Sequence, residues 1–297
     1  MAEPVPTRSL PRLHRTQVEQ VRALLERAVT ADGAVALNEA GLLHLEHAAE
    51  GVQHVLAESD DGSGLLPGYA QLEAGGPHST GQLVVDPDRR RRHVGLALLR
   101  RLLELAPSPL QVWAVGDTEA ARGLAAHEGL VATRELLVMT RPLDADLPAP
   151  QLPEGVRVRA FVPGQDEQAW LAVNARAFAT HPEQGTVTAE DLAERMAEAW
   201  FDPAGFLLAE QDGRLLGSHW TKRHSASLGE VYVLGVDPDA GGRGLGGALL
   251  DLGLQHLRDA GMSEVELYVE GDHDRAVALY RGRGFSTASR DVMYSRP

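Results

Sequence analysis

Five glycines within seven residues form the segment of this sequence that most clearly indicates a binding function. The stretch Gly241-Gly242-Arg243-Gly244-Leu245-Gly246-Gly247 follows a predicted strand and begins a predicted helix. Backbone N–H groups and the positive end of a helix then meet in one small volume, which suits phosphate or another anion. Glycine in a helix is otherwise unfavourable by about 1 kcal/mol per residue. The segment therefore predicts an anion-binding loop.

Two other interpretations of this loop stay open on the pattern alone. Gly242, Gly244 and Gly247 also satisfy G-x-G-x-x-G, and Glu264 lies about 20 residues further on, as in dinucleotide-binding oxidoreductases. Against this, residues 237–240 separate the glycines from the strand, whereas the dinucleotide motif turns tightly off its strand. The other alternative is a glycine-rich turn that binds nothing.

An internal repeat indicates which elements position the loop. Residues 83–87 (LVVDP) match residues 234–238 (LGVDP) at an offset of 151, and Gly129 matches Gly284 at an offset of 155. Both halves therefore carry the same order of strand, loop, helix, strand and helix. In the second half, strands over 230–236 and 264–270 flank the glycine-rich helix. Gly235 predicts a bulge that separates the first of these strands from the second.

The repeat predicts an α/β (layered α+β) fold with two tandem domains, each a mixed central sheet flanked by helices. A length of 297 residues also favours two domains. Several prolines without periodicity lie between residues 142 and 153, which is typical of a linker. We expect an N-terminal domain over residues 1–146, a linker over 147–155 and a C-terminal domain over 156–297.

Composition excludes several classes of partner. The formal net charge is −14, with 28 Lys and Arg against 42 Asp and Glu, so nucleic acid and anionic membranes are poor partners. The absence of cysteine excludes a thiol nucleophile, and it suits a reducing compartment. Neither a signal peptide nor a long apolar segment is recognisable, so we expect a cytoplasmic protein. We also expect a monomer, and no metal site, since His44 and His47 lack a third ligand.

Two motifs of the second half resemble the GNAT superfamily of N-acetyltransferases. Residues 236–246 are similar to its acyl-CoA-binding motif, Gln/Arg-x-x-Gly-x-Gly/Ala, with Gly241 where the family usually has Gln or Arg. Residues 272–280 and 284–285 resemble its second signature, an Asn-rich turn followed by Ala-x-x-Leu-Tyr and Gly-Phe. Three further segments, HPEQG, HWTK and GEVYVLGV, narrow the resemblance to the mycothiol synthase family, over nearly the whole chain.

This resemblance implies transfer of an acetyl group from acetyl-CoA to the cysteinyl amine of desacetylmycothiol (Cys-GlcN-Ins), the last step of mycothiol biosynthesis. Such a transfer needs a neutral amine, and Glu230 at the start of its strand can accept the ammonium proton, directly or through water. The family uses the tyrosine at position 280 to protonate the departing thiolate. Without the resemblance, Glu230 could be a solvent-facing acid at a strand edge and Tyr280 a core aromatic residue.

The resemblance also implies a set of binding residues. Acceptor contacts would come from Glu39, Glu183, Lys222, Glu230 and Tyr268, although Glu39 could instead be an acid at a helix start, and Lys222 a surface charge. Acetyl-CoA contacts in the second half would come from Leu234, Gly235, Val236, Gly241, Gly242, Arg243, Gly244, Leu245, Gly246, Gly247, His273, Asp274, Arg275, Ala276, Val277 and Ala278. The corresponding positions of the first half are Leu83, Val84, Val85, Arg90, Arg91, Arg92, His93, Val94 and Gly95.

The first domain is expected to be catalytically inactive. Ala125 occupies the position of Tyr280, and His93 that of Gly244. Its arginines could still hold a CoA pyrophosphate, or could form a basic helix start without a ligand. Two other functions stay open: acetylation of another small amine, and a non-catalytic acyl-CoA-binding module.

Overall fold

A computed structural model of the chain describes residues 5–33, 35–58, 62, 64–143, 147–181 and 184–296. These residues form two compact units. One comprises the chain up to Leu137 with Glu270–Asp272 and the segment from Ser289 onwards; the other comprises Val138–Val269 and His273–Ala288. The domain bounds expected from the sequence remain a prediction.

The first half of the chain alternates strands with helices. Its strands are β1 (Thr7–Leu10), β2 (Val52–Ala57), β3 (Gly68–Glu73), β4 (Ser79–Val85), β5 (Leu110–Ala114) and β6 (Val131–Pro142). Its helices are α1 (Arg15–Asp32), α2 (Glu39–Leu43), α3 (Val94–Leu105) and α4 (Glu119–His127). In the first unit, β1 to β5 pair in sequence order, and the end of β12 (Ser286–Ser295) pairs with β5. Strands β4 and β5 are parallel, and the other pairs are antiparallel.

The second half repeats this order. Its strands are β7 (Arg157–Ala160), β8 (Phe206–Gln211), β9 (Arg214–Arg223), β10 (Leu228–Val236) and β11 (Glu264–Glu270), which pair in sequence order. Its helices are α5 (Glu167–Ala177), α6 (Ala189–Ala197), α7 (Leu245–Asp259) and α8 (Asp274–Gly282). Only β10 and β11 among these pairs are parallel. The α/β class, with mixed sheets flanked by helices, is confirmed.

Apolar side chains cover both faces of the sheet in the second unit. On one face, the Phe206 ring stacks on Phe161 and on Trp220, each with centroids 4.4 Å apart, and Trp170 meets it edge-on. On the other face, leucines of α7 form a second buried cluster. Strand β9 is therefore buried from Leu216 to Lys222, and only its last residue, Arg223, is exposed at that end. None of the helices in the described part of the chain is long and apolar enough to cross a bilayer.

Helix α7 reaches β9 closely because Gly253 lacks a side chain. The imidazole of His219 is fully buried, and its Nδ1 donates a hydrogen bond to the carbonyl oxygen of Leu249 at 2.8 Å. Burial lowers the pKa of His219 to about 4, so the ring is neutral. A Cβ on Gly253 would overlap this ring. The glycine therefore fixes the distance between helix and sheet.

Replacing Gly253 by Ala is expected to lower the free energy of unfolding by about 1–3 kcal/mol, the usual range for overpacking. Gly282→Ala is the matched control, because it also lies in a helix but no described atom approaches within 4 Å of its added Cβ. That control should be neutral or more stable by about 0.5–1 kcal/mol. Denaturant titration measures both, and equal stability of the two variants would contradict the close packing described here.

Candidate active site

Strands β10 and β11 separate beyond Glu230. Their parallel pairing runs from Leu228 opposite Glu264 to Glu230 opposite Glu266, where it ends. A strand that loses its neighbour presents backbone N–H and C=O groups to whatever enters the gap. This gap suits an extended chain with amide groups, such as the pantetheine arm of CoA.

The bulge lies at a different residue from the one expected. The register between β9 and β10 shifts between Val231 and Val233, whereas Gly235 pairs in register with Ser218. The prediction of a bulge at Gly235 is therefore wrong. A Cβ on Gly235 would lie 2.9 Å from the ring of Phe178, so glycine is needed here for close packing rather than for a bulge.

Four titratable side chains surround the end of the paired segment. Glu230 is buried, with 7% of its surface exposed, and its Oε2 lies 2.7 Å from Nε2 of His224. Lys222 on β9 and Glu266 on β11 are the register neighbours of Glu230 on its two sides. His224 Nε2 also lies 3.5 Å from a carboxylate oxygen of Glu266. Glu230 is thus not a solvent-facing acid.

His224 and Glu266 have shifted pKa values. The hydrogen bond to Glu230 raises the pKa of His224 above its ordinary value, although burial and the charge of Lys222 act in the opposite direction. Burial raises the pKa of Glu266, and the negative charge of Glu230 adds to that effect. The site therefore contains a partly buried pair of carboxylates and a histidine whose pKa these carboxylates raise.

Lys222 lies beneath two aromatic rings. Its Nζ is 4.7 Å from the centroid of the Trp200 ring and 5.2 Å from that of Tyr232. Only 8% of the residue is exposed, so the reading of Lys222 as a surface charge is wrong. Cation–π contacts of this kind stabilise a cation that has lost part of its hydration. They hold its ammonium group on β9 at the residue that pairs with Glu230 of β10.

Tyr280 packs in the core of the second unit. Its ring centroid lies 5.7 Å from that of Phe285, and the residue is 8% exposed. Among the described residues, nothing accepts or donates a hydrogen bond at this hydroxyl. Burial raises the pKa of Tyr280 to about 12. The phenol is therefore protonated at neutral pH and able to donate.

The glycine-rich loop is held at its base by an ion-paired aspartate. Arg176 and Arg214 both contact Asp237, and with its backbone contacts they lower the pKa of this carboxyl group to about 2. Asp237 also caps the short helical turn Pro238–Ala240. Gly242 and Gly244 then adopt positive φ angles of 78° and 81°, and α7 begins at the next residue. Since Gly244 has no side chain to cap α7, the first N–H groups of the helix remain available to an anion.

The first half keeps the same loop shape with different residues. Asp86 has φ and ψ of −51° and 127°, against −51° and 129° for Asp237. Arg91 and His93 stand at positive φ angles of 61° and 62° where the second half has glycines. Non-glycine residues adopt this conformation at a cost of about 1–2 kcal/mol each. The loop shape is thus retained against local strain.

The other predicted residues of the first half occupy defined positions. Arg90 makes a two-pronged ion pair with Asp32, with distances of 2.6 and 2.7 Å, so its side chain has a protein partner. Arg91, Arg92 and His93 are exposed. Leu83, Val84 and Val85 lie in β4, Val94 and Gly95 begin α3, and Ala125 is buried in α4.

Gly244→Ala is expected to lower the free energy of unfolding by about 1–2 kcal/mol, because alanine is strained at this φ angle. The added Cβ itself meets no described atom within 4 Å. At Gly246 the backbone is helical, and a Cβ would lie 3.6 Å from Val236, an ordinary contact. Gly246→Ala should therefore be neutral or slightly stabilising. Thermal unfolding of both variants measures the difference, and an unstable Gly246→Ala beside an unaffected Gly244→Ala would contradict this backbone geometry.

The remaining predicted residues are distributed as follows. Tyr268 lies on β11, two residues after Glu266 and on the same face, and is 46% exposed. Glu39 begins α2, whose N-cap Asn38 accepts a hydrogen bond from Gly41 N at 2.8 Å; its side chain is outside the described part. Glu183 also lies outside the described residues. The end of β10 is formed by Leu234, Gly235 and Val236, and the start of α7 by Leu245, Gly246 and Gly247. Between them, the guanidinium of Arg243 contacts the side chain of Gln211. The N-cap and first turns of α8 comprise His273, Asp274, Arg275, Ala276, Val277 and Ala278.

Sequence reasoning missed His224 and Glu266. The alternation Glu264, Glu266, Tyr268 and Glu270 placed these side chains on one face of a strand, which could have indicated Glu266. No spacing pattern pointed to His224, which follows β9 and contacts Glu230 across the turn to β10. Within the described ranges, no cluster of three or more His, Cys, Asp or Glu side chains is arranged to hold a metal ion.

Comparisons with known proteins place the chain in a family. The model of the acetyltransferase (GNAT) family matches residues 171–285. Proteins named mycothiol acetyltransferase from Thermomonospora curvata and Streptomyces coelicolor are each 52% identical to the chain. They cover 95% and 96% of it, and the match spans 94% of each relative.

Solved structures share the fold over the full length. A GCN5-related N-acetyltransferase from Sphaerobacter thermophilus superposes with a TM-score of 0.74 at 26% identity, covering 100% of this chain and 98% of that one. A tandem GNAT protein from the clavulanic acid biosynthesis pathway has the same TM-score at 21% identity, with 98% of each chain covered. The tandem GNAT fold that the motifs imply is confirmed.

Proposed function

The chain belongs to the mycothiol acetyltransferase family of GNAT proteins, and we propose on this premise that it transfers the acetyl group of acetyl-CoA to the cysteinyl amine of desacetylmycothiol. The 52% identity over nearly the whole chain is the observation that carries this assignment. Acetyl-CoA serves as the co-substrate and supplies the activated acyl group.

The residues present fit an acyl-CoA in the second half. The loop of residues 241–244 is exposed and leads into the N-terminus of α7, which suits the pyrophosphate. The gap between β10 and β11 suits the pantetheine arm, because the backbone of β10 beyond Glu230 is outside the parallel ladder. The start of α8, residues 273–278, would flank the phosphates on the other side.

Glu230 is the proposed general base. Its carboxylate is buried at the point where β10 and β11 separate, and this is where a thioester in the gap would meet an incoming amine. Removal of the ammonium proton exposes the nitrogen lone pair for attack on the acyl carbon. Backbone N–H groups of the separated strand would stabilise the oxyanion that develops.

Tyr280 is the proposed general acid. The collapse of the tetrahedral intermediate releases a thiolate, and a phenol that stays protonated at neutral pH can supply its proton. The available hydroxyl group of this otherwise packed side chain supports that role.

The acceptor would be bound by Lys222, Tyr268, Glu39 and Glu183 together with Glu230. The burial of Lys222 beside Glu230 supports its place in this set, since a shielded cation forms strong hydrogen bonds with sugar hydroxyl groups. In the first domain, the retained shape of the loop around Arg91 and His93 supports an acetyl-CoA site without chemistry, because Ala125 cannot donate a proton.

The functional state proposed is a cytoplasmic monomer. Acetyl-CoA is a cytoplasmic metabolite, and the internal repeat already supplies a pair of related domains within one chain. The net charge of −14 disfavours nucleic acid and anionic membranes as partners.

Mass spectrometry of purified protein incubated with acetyl-CoA and desacetylmycothiol tests the reaction. One acetyl group on the cysteinyl nitrogen, absent when the enzyme is omitted, is the expected product. A thiol-detecting dye is unsuitable because the acceptor carries a thiol of its own. Binding of acetyl-CoA without formation of this product would refute desacetylmycothiol as the acceptor, and a panel of other amines would then be tested as acceptors.

A further inference from the structure

His224 connects the buried Glu230 with the protein surface. Its side chain is 32% exposed, against 9% for Glu230 and 17% for Glu266. Its Nε2 lies 2.7 Å from Glu230 Oε2 and 3.5 Å from Glu266 Oε1. The charged groups that face it come from three strands: Lys222 from β9, Glu230 from β10 and Glu266 from β11. The ring is therefore the link between the proposed base and water.

The proposed reaction leaves a proton on Glu230 in every turnover. A buried carboxylic acid must lose that proton before it can act as a base again, and a partner within hydrogen-bond distance is the shortest route. Histidine is the side chain whose ordinary pKa allows both gain and loss of a proton near neutrality.

We propose that His224 takes the proton from Glu230 and releases it to solvent. This inference rests on the proposed role of Glu230 as general base. Once Glu230 has taken the ammonium proton, its carboxylic acid donates a hydrogen bond through that proton to Nε2 of a neutral imidazole, whose own proton is on Nδ1. One proton passes from the ammonium nitrogen to Glu230, and one from Glu230 to Nε2, which leaves a neutral amine, a carboxylate and an imidazolium. Loss of one proton from the imidazolium to water or buffer restores the neutral ring.

Glu266 is the group that stabilises the intermediate imidazolium. Its carboxylate on the neighbouring strand contacts the same Nε2 edge as Glu230, and an opposite charge at this distance favours the protonated ring. The relay needs neutral His224 to start, so the rate should fall as the pH decreases through the pKa of the imidazole. Removal of the Glu266 charge lowers that pKa, and the acidic limb of the pH profile should move to lower pH by about 0.5–1 unit.

The activity test compares two substitutions of His224. His224→Ala is expected to lower kcat by about 10- to 10²-fold, and added imidazole should restore the rate in a concentration-dependent manner. His224→Gln can still donate a hydrogen bond to Glu230 but cannot carry a proton, so it should be as slow as the alanine variant and lack the acidic limb. His127→Ala, an exposed histidine of α4, is the control and should match wild type.

The outcomes separate the relay from a structural role and from the reaction itself. If His224→Gln retains wild-type kcat and pH profile, His224 only positions Glu230 and the relay is refuted. A wild-type enzyme that does not acetylate desacetylmycothiol would refute the proposed function instead. NMR titration of the His224 ring gives a readout that needs no acceptor: its pKa should fall in Glu230→Gln and in Glu266→Gln, and an unchanged titration in both would overturn the relay.

Discussion

Replacement of Glu230 by Gln is expected to lower kcat/KM for acetyl transfer by about 10²- to 10⁴-fold, the range that a positioned general base contributes. Gln has the same size and can keep a hydrogen bond to His224, so the change removes the base with little change of packing. The effect should appear mainly in kcat, because the base acts on the acceptor in the transition state. Quantification of the acetylated product by mass spectrometry over time measures it.

Glu264→Gln is the matched control for this experiment. Glu264 lies on β11, two residues before Glu266 and on the same face, but it is exposed and pairs with Leu228 rather than Glu230. The control should retain activity within about twofold, as expected for a surface substitution away from the site. Equal rates for Glu230→Gln and wild type would remove Glu230 from the mechanism.

Tyr280→Phe is expected to reduce kcat by about 10²-fold, the lower end of the range for proton transfer, because a thiolate is already a good leaving group. Burial raises the pKa of Tyr280 to about 12. The Tyr280 phenol is therefore fully protonated at neutral pH, and it loses its proton only as the pH rises towards that value. Any alkaline limb of the wild-type profile well below pH 12 should consequently persist in the phenylalanine variant.

Tyr294→Phe provides the comparison for this prediction. The Tyr294 hydroxyl donates a hydrogen bond to Asp117 at 2.7 Å, so its loss should lower the free energy of unfolding by about 1–2 kcal/mol without changing kcat. Steady-state kinetics and denaturant titration separate the two variants. If Tyr280→Phe lost stability but kept its kcat, Tyr280 would be a packing residue only.

The fold and the cofactor loop follow from signals that are local in sequence. The internal repeat indicates two related halves, and the glycines at 242 and 244 mark the positions where φ is positive. A local signal is weaker where a contact between distant residues decides the conformation. Gly235 is an example, because the ring of Phe178, which follows α5, accounts for this glycine, and the bulge lies nearby at Tyr232.

The charged site depends on strand register, which the sequence does not display. Glu230 and Glu266 become neighbours only through the parallel pairing of β10 with β11, and Lys222 joins them through the antiparallel pairing with β9. Lys222 resembles a surface residue in sequence because Trp200, one of the two aromatic side chains that cover it, lies more than 20 residues away in the chain. His224 carries no motif at all.

The loop of the first half keeps its backbone conformation although its residue types differ from those of the second half. His93 occupies the position of Gly244, and its φ angle of 62° is close to the 81° of that glycine. The capping aspartates, Asp86 and Asp237, have nearly identical torsion angles in the two halves. The turn before the loop therefore sets the path of the chain, and the residue at position 93 adopts that path even though it is not glycine.

The shielding of Lys222 has a chemical consequence for a protein that handles an acylating agent. Lysine side chains react slowly with thioesters without any enzyme, and Lys222 is the one lysine of this sequence. It is 8% exposed beneath the rings of Trp200 and Tyr232, whereas arginine, which supplies the other long cationic side chains, is a poor nucleophile. Self-acylation of lysine by the co-substrate is thereby confined to a single protected position, and the extent of acylation at Lys222 would report how often that position opens.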